Sequence, residues 1–217
     1  MLGLNTDEFY TDYINDPVLN DRVKFLDAIV GSKDDLLSIA AFSIIEGAIL
    51  FSSFAMFKNF QSNGNNLLGN VVQGINNSVL DEGLHQQAGA ALFRQALSES
   101  DLSESQLEEM WSKIYAFGLT IKEHEDRILD MFYEKGGVRG TSLEDLKTFV
   151  GSRVDICIQD LGGKALFKAG HNPVADWFYK GVQKMQSHDF FAKMGREYQR
   201  GWSADKFTWN TQQDQGE

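Results

Sequence analysis

The stretch LLSIAAFSIIEGAILFSSFAMF, residues 36–57, carries a single charged side chain, Glu46. A helix of 22 such residues is long enough to cross a bilayer. A carboxylate at its middle, however, opposes insertion by about 2.5 to 3.5 kcal/mol, and the flanking Asp34 and Asp35 give no positive anchor. A helix that is apolar all round because it is buried all round explains the same run. We therefore predict a core helix of a bundle, with no membrane span.

The composition indicates an all-α protein with one domain and a tail. Two prolines in 217 residues favour long uninterrupted helices. A net charge of −11 and a pI near 4.8 argue against a nucleic-acid partner, because binding to phosphates needs clustered Lys and Arg. The single cysteine, Cys157, cannot form an internal disulfide, so a reducing cytoplasmic location is expected. We assign residues 1–198 to the bundle and 199–217 to a flexible tail.

Capping patterns predict where the helices begin. Ser32 with Asp35 resembles a cap for the apolar helix, which is expected to run on to about Phe60. A short Asn- and Gly-rich turn at residues 62–66 then leads into a second long helix, predicted from about Leu67 to Leu97. The short turn makes these two helices antiparallel. Further helices are predicted over residues 17–29, 103–133 (Ser103 and Gln106 as capping box), 141–161 (Thr141 and Glu144 as capping box) and 177–185.

A buried carboxylate such as Glu46 needs a positive partner, and a metal ion is one candidate. The next helix holds Glu82 and His85 at a spacing of three, so both point to one side of it. Ferritin-like di-metal bundles use a Glu from each of two helices and a Glu-x-x-His from each of two others. This chain supplies one of each. The alternative for Glu82 and His85 alone is a surface pair that stabilises the helix.

A second Glu-x-x-His is absent from the sequence, because none of His124, His171 and His188 has a Glu three residues before it. Half of a di-metal site is therefore missing. The acidic cluster at residues 123–125, Glu-His-Glu, lies among many charged neighbours and is interpreted as a solvated helix face.

Four segments, in order, resemble the small subunits of class I ribonucleotide reductases, especially the eukaryotic-like ones. They are IEG at residues 45–47 followed by FSSFA at 51–55, DEGLH at 81–85, NP at 172–173, and DFF at 189–191 followed by GREYQR at 195–200. Residues 13–17, YINDP, look like the connection after the family's radical-bearing helix. The resemblance covers most of residues 10–201 and implies a ferritin-like helical bundle.

The resemblance implies a metal centre. Glu46, Glu82 and His85 would be ligands of two iron ions, or of a manganese and iron pair, shared with ligands from a partner chain. Phe54 would line the apolar pocket beside the metals, where exclusion of water protects an oxidant.

The resemblance also implies radical transfer during reduction of ribonucleotides to deoxyribonucleotides. Asp81 would join the hydrogen-bonded path that leads away from the metals, and Tyr198 would relay the radical toward a large catalytic subunit. Residues after about 199 would dock on that large subunit. Two positions depart from the family: Leu80 replaces an arginine, and Ala192 replaces a glutamate.

The family's other ligands, its radical tyrosine and the tryptophan of its transfer path all correspond to sequence before Met1. Three explanations are open. A complementary N-terminal small-subunit chain supplies the missing half, giving a hetero-oligomer with dimeric symmetry. Two copies of this chain pair as a stand-alone ferritin-like di-metal oxidase. Or the chain is a metal-free scaffold relative. We expect the first.

Overall fold

The computed structural model describes residues 6–7, 11–12, 15–30, 34–62 and 67–186. Contacts divide the chain into two units, Met1–Gln183 and Lys184–Glu217. Every regular element in the described residues is helical, which confirms the all-α class. The elements are α1 (Pro17–Val30), α2 (Asp35–Ala48), α3 (Phe51–Lys58), a 3-10 turn (Asn59–Gln61), α4 (Gly69–Ser98), α5 (Glu104–Glu134), α6 (Leu143–Leu161) and α7 (Pro173–Gln186). The predicted tail, 199–217, lies outside the described residues.

Local capping explains most helix starts. The capping box at α5 is confirmed: the Ser103 side chain accepts from the Gln106 amide, and the Gln106 side chain accepts from the Ser103 amide. At α6 the prediction is wrong by one residue, because Ser142 rather than Thr141 is the cap. α7 begins at Pro173, earlier than expected.

The apolar segment is two helices, so the prediction of one continuous helix to about Phe60 is wrong. α2 ends at Ala48, Ile49 is extended, and Leu50 takes the left-handed conformation with φ of 73° before α3 begins at Phe51. That conformation costs a leucine about 1 to 2 kcal/mol. Other parts of the fold must therefore hold the break in place. At the start of α2, Asp34 is the observed cap, and Ser32 lies outside the described residues.

α2 and α4 pack closely and run antiparallel, as predicted. Gly47 faces Gln86, and Ser43, one turn earlier on α2, faces Gly89, one turn later on α4. The hydroxyl of Ser43 donates to the main-chain oxygen of Gln86 at 2.9 Å. Because Gly47 and Gly89 have no side chains, α2 and α4 can approach each other closely. The polar side chains near this contact are thereby brought together.

The apolar segment is part of the protein core. The segment Asp35–Gln61 is long and apolar enough to span a membrane by length and composition, yet half of its most apolar part is buried inside the protein. The most deeply buried side chains of this segment include Ala40, Ile44, Ala48, Phe51 and Ala55. Packing against α4, α5 and α6 accounts for its apolar character.

Replacing Gly47 with alanine is expected to destabilise the fold. The added Cβ would clash with the Cys157 sulfur and lie 2.5 Å from the Gln86 Cγ, so these side chains or the helices that carry them must shift. Overpacking of this kind typically costs about 1 to 3 kcal/mol. Urea denaturation measures the loss. The matched control is Gly74→Ala on α4, where the new Cβ meets nothing within 4 Å and helix propensity should add up to about 1 kcal/mol. Equal stability of the two variants would contradict the packing described here.

Candidate metal centre

Three ligand-type side chains meet where α2 passes α4. The Nδ1 atom of His85 lies 3.1 Å from an Oε atom of Glu46 and 3.3 Å from an Oε atom of Glu82. Ligand atoms of all three residues lie within 4.8 Å of one another. Within the described residues this is the one such group of three or more His, Cys, Asp or Glu side chains. The structure therefore brings together the three residues that the sequence singled out.

The electrostatics of this group suit a cation. The carboxylates of Glu46 and Glu82, which can accept hydrogen bonds from the His85 ring, raise the pKa of His85. Burial raises the pKa of Glu82, and its hydrogen bond to Glu46 and the repulsion between the two carboxylates raise it further, while His85 lowers it. Two carboxylates held this close favour an added positive charge. A proton on His85 provides one, and a divalent metal ion would provide another.

The donor group lies on a partly open face with apolar neighbours. The side chains of Glu46 and Glu82 are about one quarter exposed, and that of His85 is 53% exposed. Phe42, one turn before Glu46, is 45% exposed, and Leu92, two turns after His85, is 56% exposed. We call these residues of α2 and α4 (Phe42, Glu46, His85 and Leu92) the α2/α4 face. Contiguous exposed apolar patches with polar residues at their edge are typical of an interaction surface.

The other predicted site residues are not part of this group among the described residues. Asp81 is exposed on α4, next to Glu82, and does not belong to the three-donor group. Phe54 is 7% exposed and packs on Phe51, with 5.5 Å between ring centroids, in the core on the α3 side. Tyr198 lies outside the described residues.

A buried polar network crosses the bundle between α1, α3 and α5, and the sequence analysis missed it. Glu125 is fully buried and accepts hydrogen bonds from Arg22 and from the Ser52 hydroxyl, each at 2.5 Å. Arg22 also donates to the Nε2 atom of His124 at 2.9 Å. The interpretation of residues 123–125 as a solvated face is therefore wrong for His124 and Glu125.

The periodicity of α5 indicates that Glu125 is buried. Glu125 continues the series of buried positions at intervals of three and four, which runs Ile114, Gly118, Ile121, Glu125, Ile128. The charged residues on either side of the pair hid that periodicity. Burial raises the pKa of Glu125, which Arg22 and Ser52 oppose.

His124 should make the fold sensitive to acid. Burial, helped by the charges of Arg22 and Arg127 and opposed by Asp21, lowers the pKa of His124 to about 4, against about 6.5 in an unfolded chain. From about pH 6.5 down to about pH 4 the unfolded chain takes up this proton and the folded chain does not. Stability is therefore lost as pH falls through that window, by up to about 3 kcal/mol.

The measurement is urea denaturation at pH 7 and at pH 4, for the wild type and for His124→Gln. The glutamine can still accept from Arg22 but does not titrate. The paired carboxylates, including Glu125, are present in both proteins, so their protonation contributes equally to the two losses of stability. The wild type should lose more stability than the variant on acidification. Equal losses would show that His124 is not the acid-sensitive group.

The donor set fits iron or manganese. Mixed carboxylate and imidazole ligands accept either metal, and Glu46, Glu82 and His85 would hold it from two adjacent helices. Ferritin-like di-metal centres draw on about six side-chain ligands. The three donors here therefore correspond to half of such a set.

Comparisons with known proteins show the family of this chain. A sequence profile of the ribonucleotide reductase small chain family matches residues 1–173, and the chain belongs to that family. It is 27% identical, over 174 residues, to a protein assigned as a ribonucleoside-diphosphate reductase small subunit in Invertebrate iridescent virus 3. That alignment covers 80% of this chain and 45% of the viral protein. The chain thus spans less than half the length of this relative.

Solved structures show the same fold. A structure assigned to class I ribonucleotide reductase from Bacillus halodurans matches with a TM-score of 0.67 and 24% identity, covering 80% of this chain and 63% of that one. The ribonucleotide reductase Rnr4 homodimer of Saccharomyces cerevisiae matches with a TM-score of 0.59 and 19% identity, covering 84% and 55%. These likenesses confirm the all-α, ferritin-like fold.

Proposed function

We propose that this chain is a component of a ribonucleotide reductase small subunit and supplies half of its di-metal centre. The observation that carries the proposal is the meeting of Glu46, Glu82 and His85 between two antiparallel helices. Membership of the ribonucleotide reductase small chain family supports the proposal.

The remaining ligands come, in this proposal, from a complementary N-terminal small-subunit chain. Its helices would cover the α2/α4 face, and the exposed Phe42 and Leu92 support such packing because they lie on the same two helices as the donors. Metal binding and assembly would then strengthen each other. The expected product is a hetero-oligomer with dimeric symmetry in the cytoplasm. The yeast structure, a homodimer, is consistent with that symmetry.

Each residue has a distinct part in the proposed centre. Glu46, Glu82 and His85 hold the metals, and the bound iron or manganese would supply the one-electron oxidising chemistry. Phe54 helps to keep water away from the bundle interior. Asp81 stands next to Glu82 at the start of the transfer path, and Tyr198 passes the oxidising equivalent on to the large subunit that reduces ribonucleotides.

Deleting residues 203–217 tests the link to a large subunit. The segment holds Phe207, Thr208 and Trp209 among polar residues, which suits docking of an extended tail in a groove. We expect a mixture of the truncated chain, its complementary chain and the large subunit to lose ribonucleotide reduction. Bound iron should be unchanged, since the deletion is far in sequence from the donors. Undiminished reduction after the deletion would rule out tail docking.

A second candidate function is a stand-alone homodimeric di-metal oxidase. Two copies joined through their α2/α4 faces would provide two sets of Glu46, Glu82 and His85, which is the six-ligand complement of such centres. This alternative requires no complementary chain. A metal-free scaffold is the third reading, and it predicts no bound iron in any assembly.

A further inference from the structure

The helix break after Glu46 is held by other parts of the fold. α2 ends two residues after Glu46, and its last carbonyl groups lack partners within the helix. α3 begins three residues later, and its cap residue, Leu50, provides no side-chain hydrogen bond to the first amides. Neither Ile49 nor Leu50 favours a break by itself. Two buried groups of opposite charge meet the two ends.

Arg153 of α6 meets the carboxyl end of α2. Its Nε atom donates to the carbonyl of Gly47, the residue after Glu46, at 3.0 Å. The guanidinium is also stacked over the Phe51 ring, 4.2 Å from its centroid, and donates to the Tyr179 hydroxyl at 2.8 Å. Arg153 is only 7% exposed. A cation in this position satisfies a free carbonyl and complements the negative end of the helix dipole.

Glu125 of α5 meets the amino end of α3. One of its carboxylate oxygens accepts from the Ser52 hydroxyl at 2.5 Å and, more weakly, from the Ser52 amide at 3.4 Å. Ser52 is in the first turn of α3, where the amides have no partner within the helix. An anion there complements the positive end of the helix dipole. The other carboxylate oxygen of Glu125 accepts from Arg22.

We infer that Arg153 and Glu125 are positioning residues that fix the break between α2 and α3 and thereby hold Glu46 against His85. This inference rests on the proposed metal centre. The break begins two residues after Glu46, and Arg153 donates to the carbonyl of Gly47, the residue that follows Glu46. A shift of the break would therefore be passed on to the backbone that carries the Glu46 carboxylate. Groups that orient ligands in this way typically change metal affinity by about ten- to a hundredfold when they are altered.

The test is Fe²⁺ binding, without oxygen, by the full chain with its complementary chain. Glu125→Gln keeps the size of the side chain and removes its charge. Arg153→Lys keeps the positive charge and loses part of the contacts of the guanidinium. Both are expected to weaken Fe²⁺ binding by about ten- to a hundredfold and to speed hydrogen exchange of the amides at residues 51–54. Ser52→Ala removes one hydrogen bond and leaves the buried charges paired. Ser52→Ala should weaken Fe²⁺ binding by about three- to tenfold. This variant tests the inference even if Glu125→Gln or Arg153→Lys does not fold.

Asp155→Asn is the matched control. Asp155 is a buried carboxylate on the same helix as Arg153, and it accepts three main-chain amides, from Leu166, Phe167 and Ala169. It anchors a loop and does not contact the break, so its loss should lower thermal stability and leave Fe²⁺ affinity unchanged.

The outcomes separate the two proposals. Wild-type assembly that binds no Fe²⁺ would overturn the proposed function and, with it, this inference. Wild-type assembly that binds Fe²⁺ while the folded break variants bind it equally well would overturn the inference alone. A loss of affinity in Asp155→Asn as large as in the break variants would also overturn it, because general destabilisation would then suffice.

Discussion

Replacing Glu82 with glutamine is expected to weaken Fe²⁺ binding by about a hundredfold or more while leaving the metal-free protein at least as stable as the wild type. Substitution of a residue that merely orients a metal ligand lowers metal affinity by about ten- to a hundredfold. The loss of a ligand itself should therefore lower the affinity by at least the upper value of that range. The stability expectation follows from the crowding of Glu82 with Glu46, which raises the pKa of Glu82 along with burial. A neutral side chain relieves that repulsion.

Fe²⁺ titration of the assembled complex and urea denaturation of the metal-free chain measure the two effects. The control is Glu109→Gln on α5, an exposed carboxylate that pairs with Lys113 at 2.7 Å. It should change neither quantity appreciably. If Glu82→Gln bound Fe²⁺ as tightly as Glu109→Gln does, Glu82 would not be a ligand.

Replacing Tyr198 with phenylalanine is expected to abolish ribonucleotide reduction in the complete mixture while the bound iron stays the same. A phenylalanine has no phenolic proton to lose and cannot take the place of tyrosine in a redox relay. The expectation comes from the resemblance of GREYQR, residues 195–200, to the carboxyl-terminal stretch of the family. Turnover and iron content are measured on the same preparation.

Tyr115→Phe is the matched control for that substitution. Its hydroxyl accepts from the Lys164 amide at 2.9 Å, so the variant loses a phenolic oxygen and one hydrogen bond at a structural position. Reduction should continue in Tyr115→Phe. Normal turnover by Tyr198→Phe would mean that the oxidising equivalent takes another route.

The sequence predicted those parts of the fold that depend on local chemistry. The capping box of Ser103 and Gln106 needs only a spacing of three, and it begins a helix where expected. The donors Glu82 and His85 follow from the same helical spacing. Glu46 could be matched to them because the sequence predicts that its helix runs antiparallel to the helix of Glu82 and His85, and the structure confirms this pairing.

The break at Ile49 and Leu50 could not be predicted in this way. No proline or glycine stands at either position, and an apolar run continues through it. The groups that meet its two ends, Arg153 and Glu125, are more than seventy residues away in sequence. Long-range contacts of this kind override local helix propensity.

The burial of His124 and Glu125 was missed for a different reason. Their neighbours along the chain are charged, and composition outweighed the three- and four-residue periodicity that places Glu125 among the core positions of α5. The polar partner that makes this burial tolerable, Arg22, lies in another helix. The pairing of Arg22 with Glu125 has no signature in the sequence.

Mass in solution together with bound iron tests most directly whether this chain supplies half of a shared di-metal centre. The chain is purified alone and together with the product of a neighbouring reading frame that carries the complementary helices. Both preparations are loaded with Fe²⁺ and exposed to oxygen. We expect iron to bind at about two ions per pair of unlike chains, with a radical signal after oxygen. A homodimer of this chain that binds two ions without any second chain, or the absence of bound iron in both preparations, would contradict the proposal.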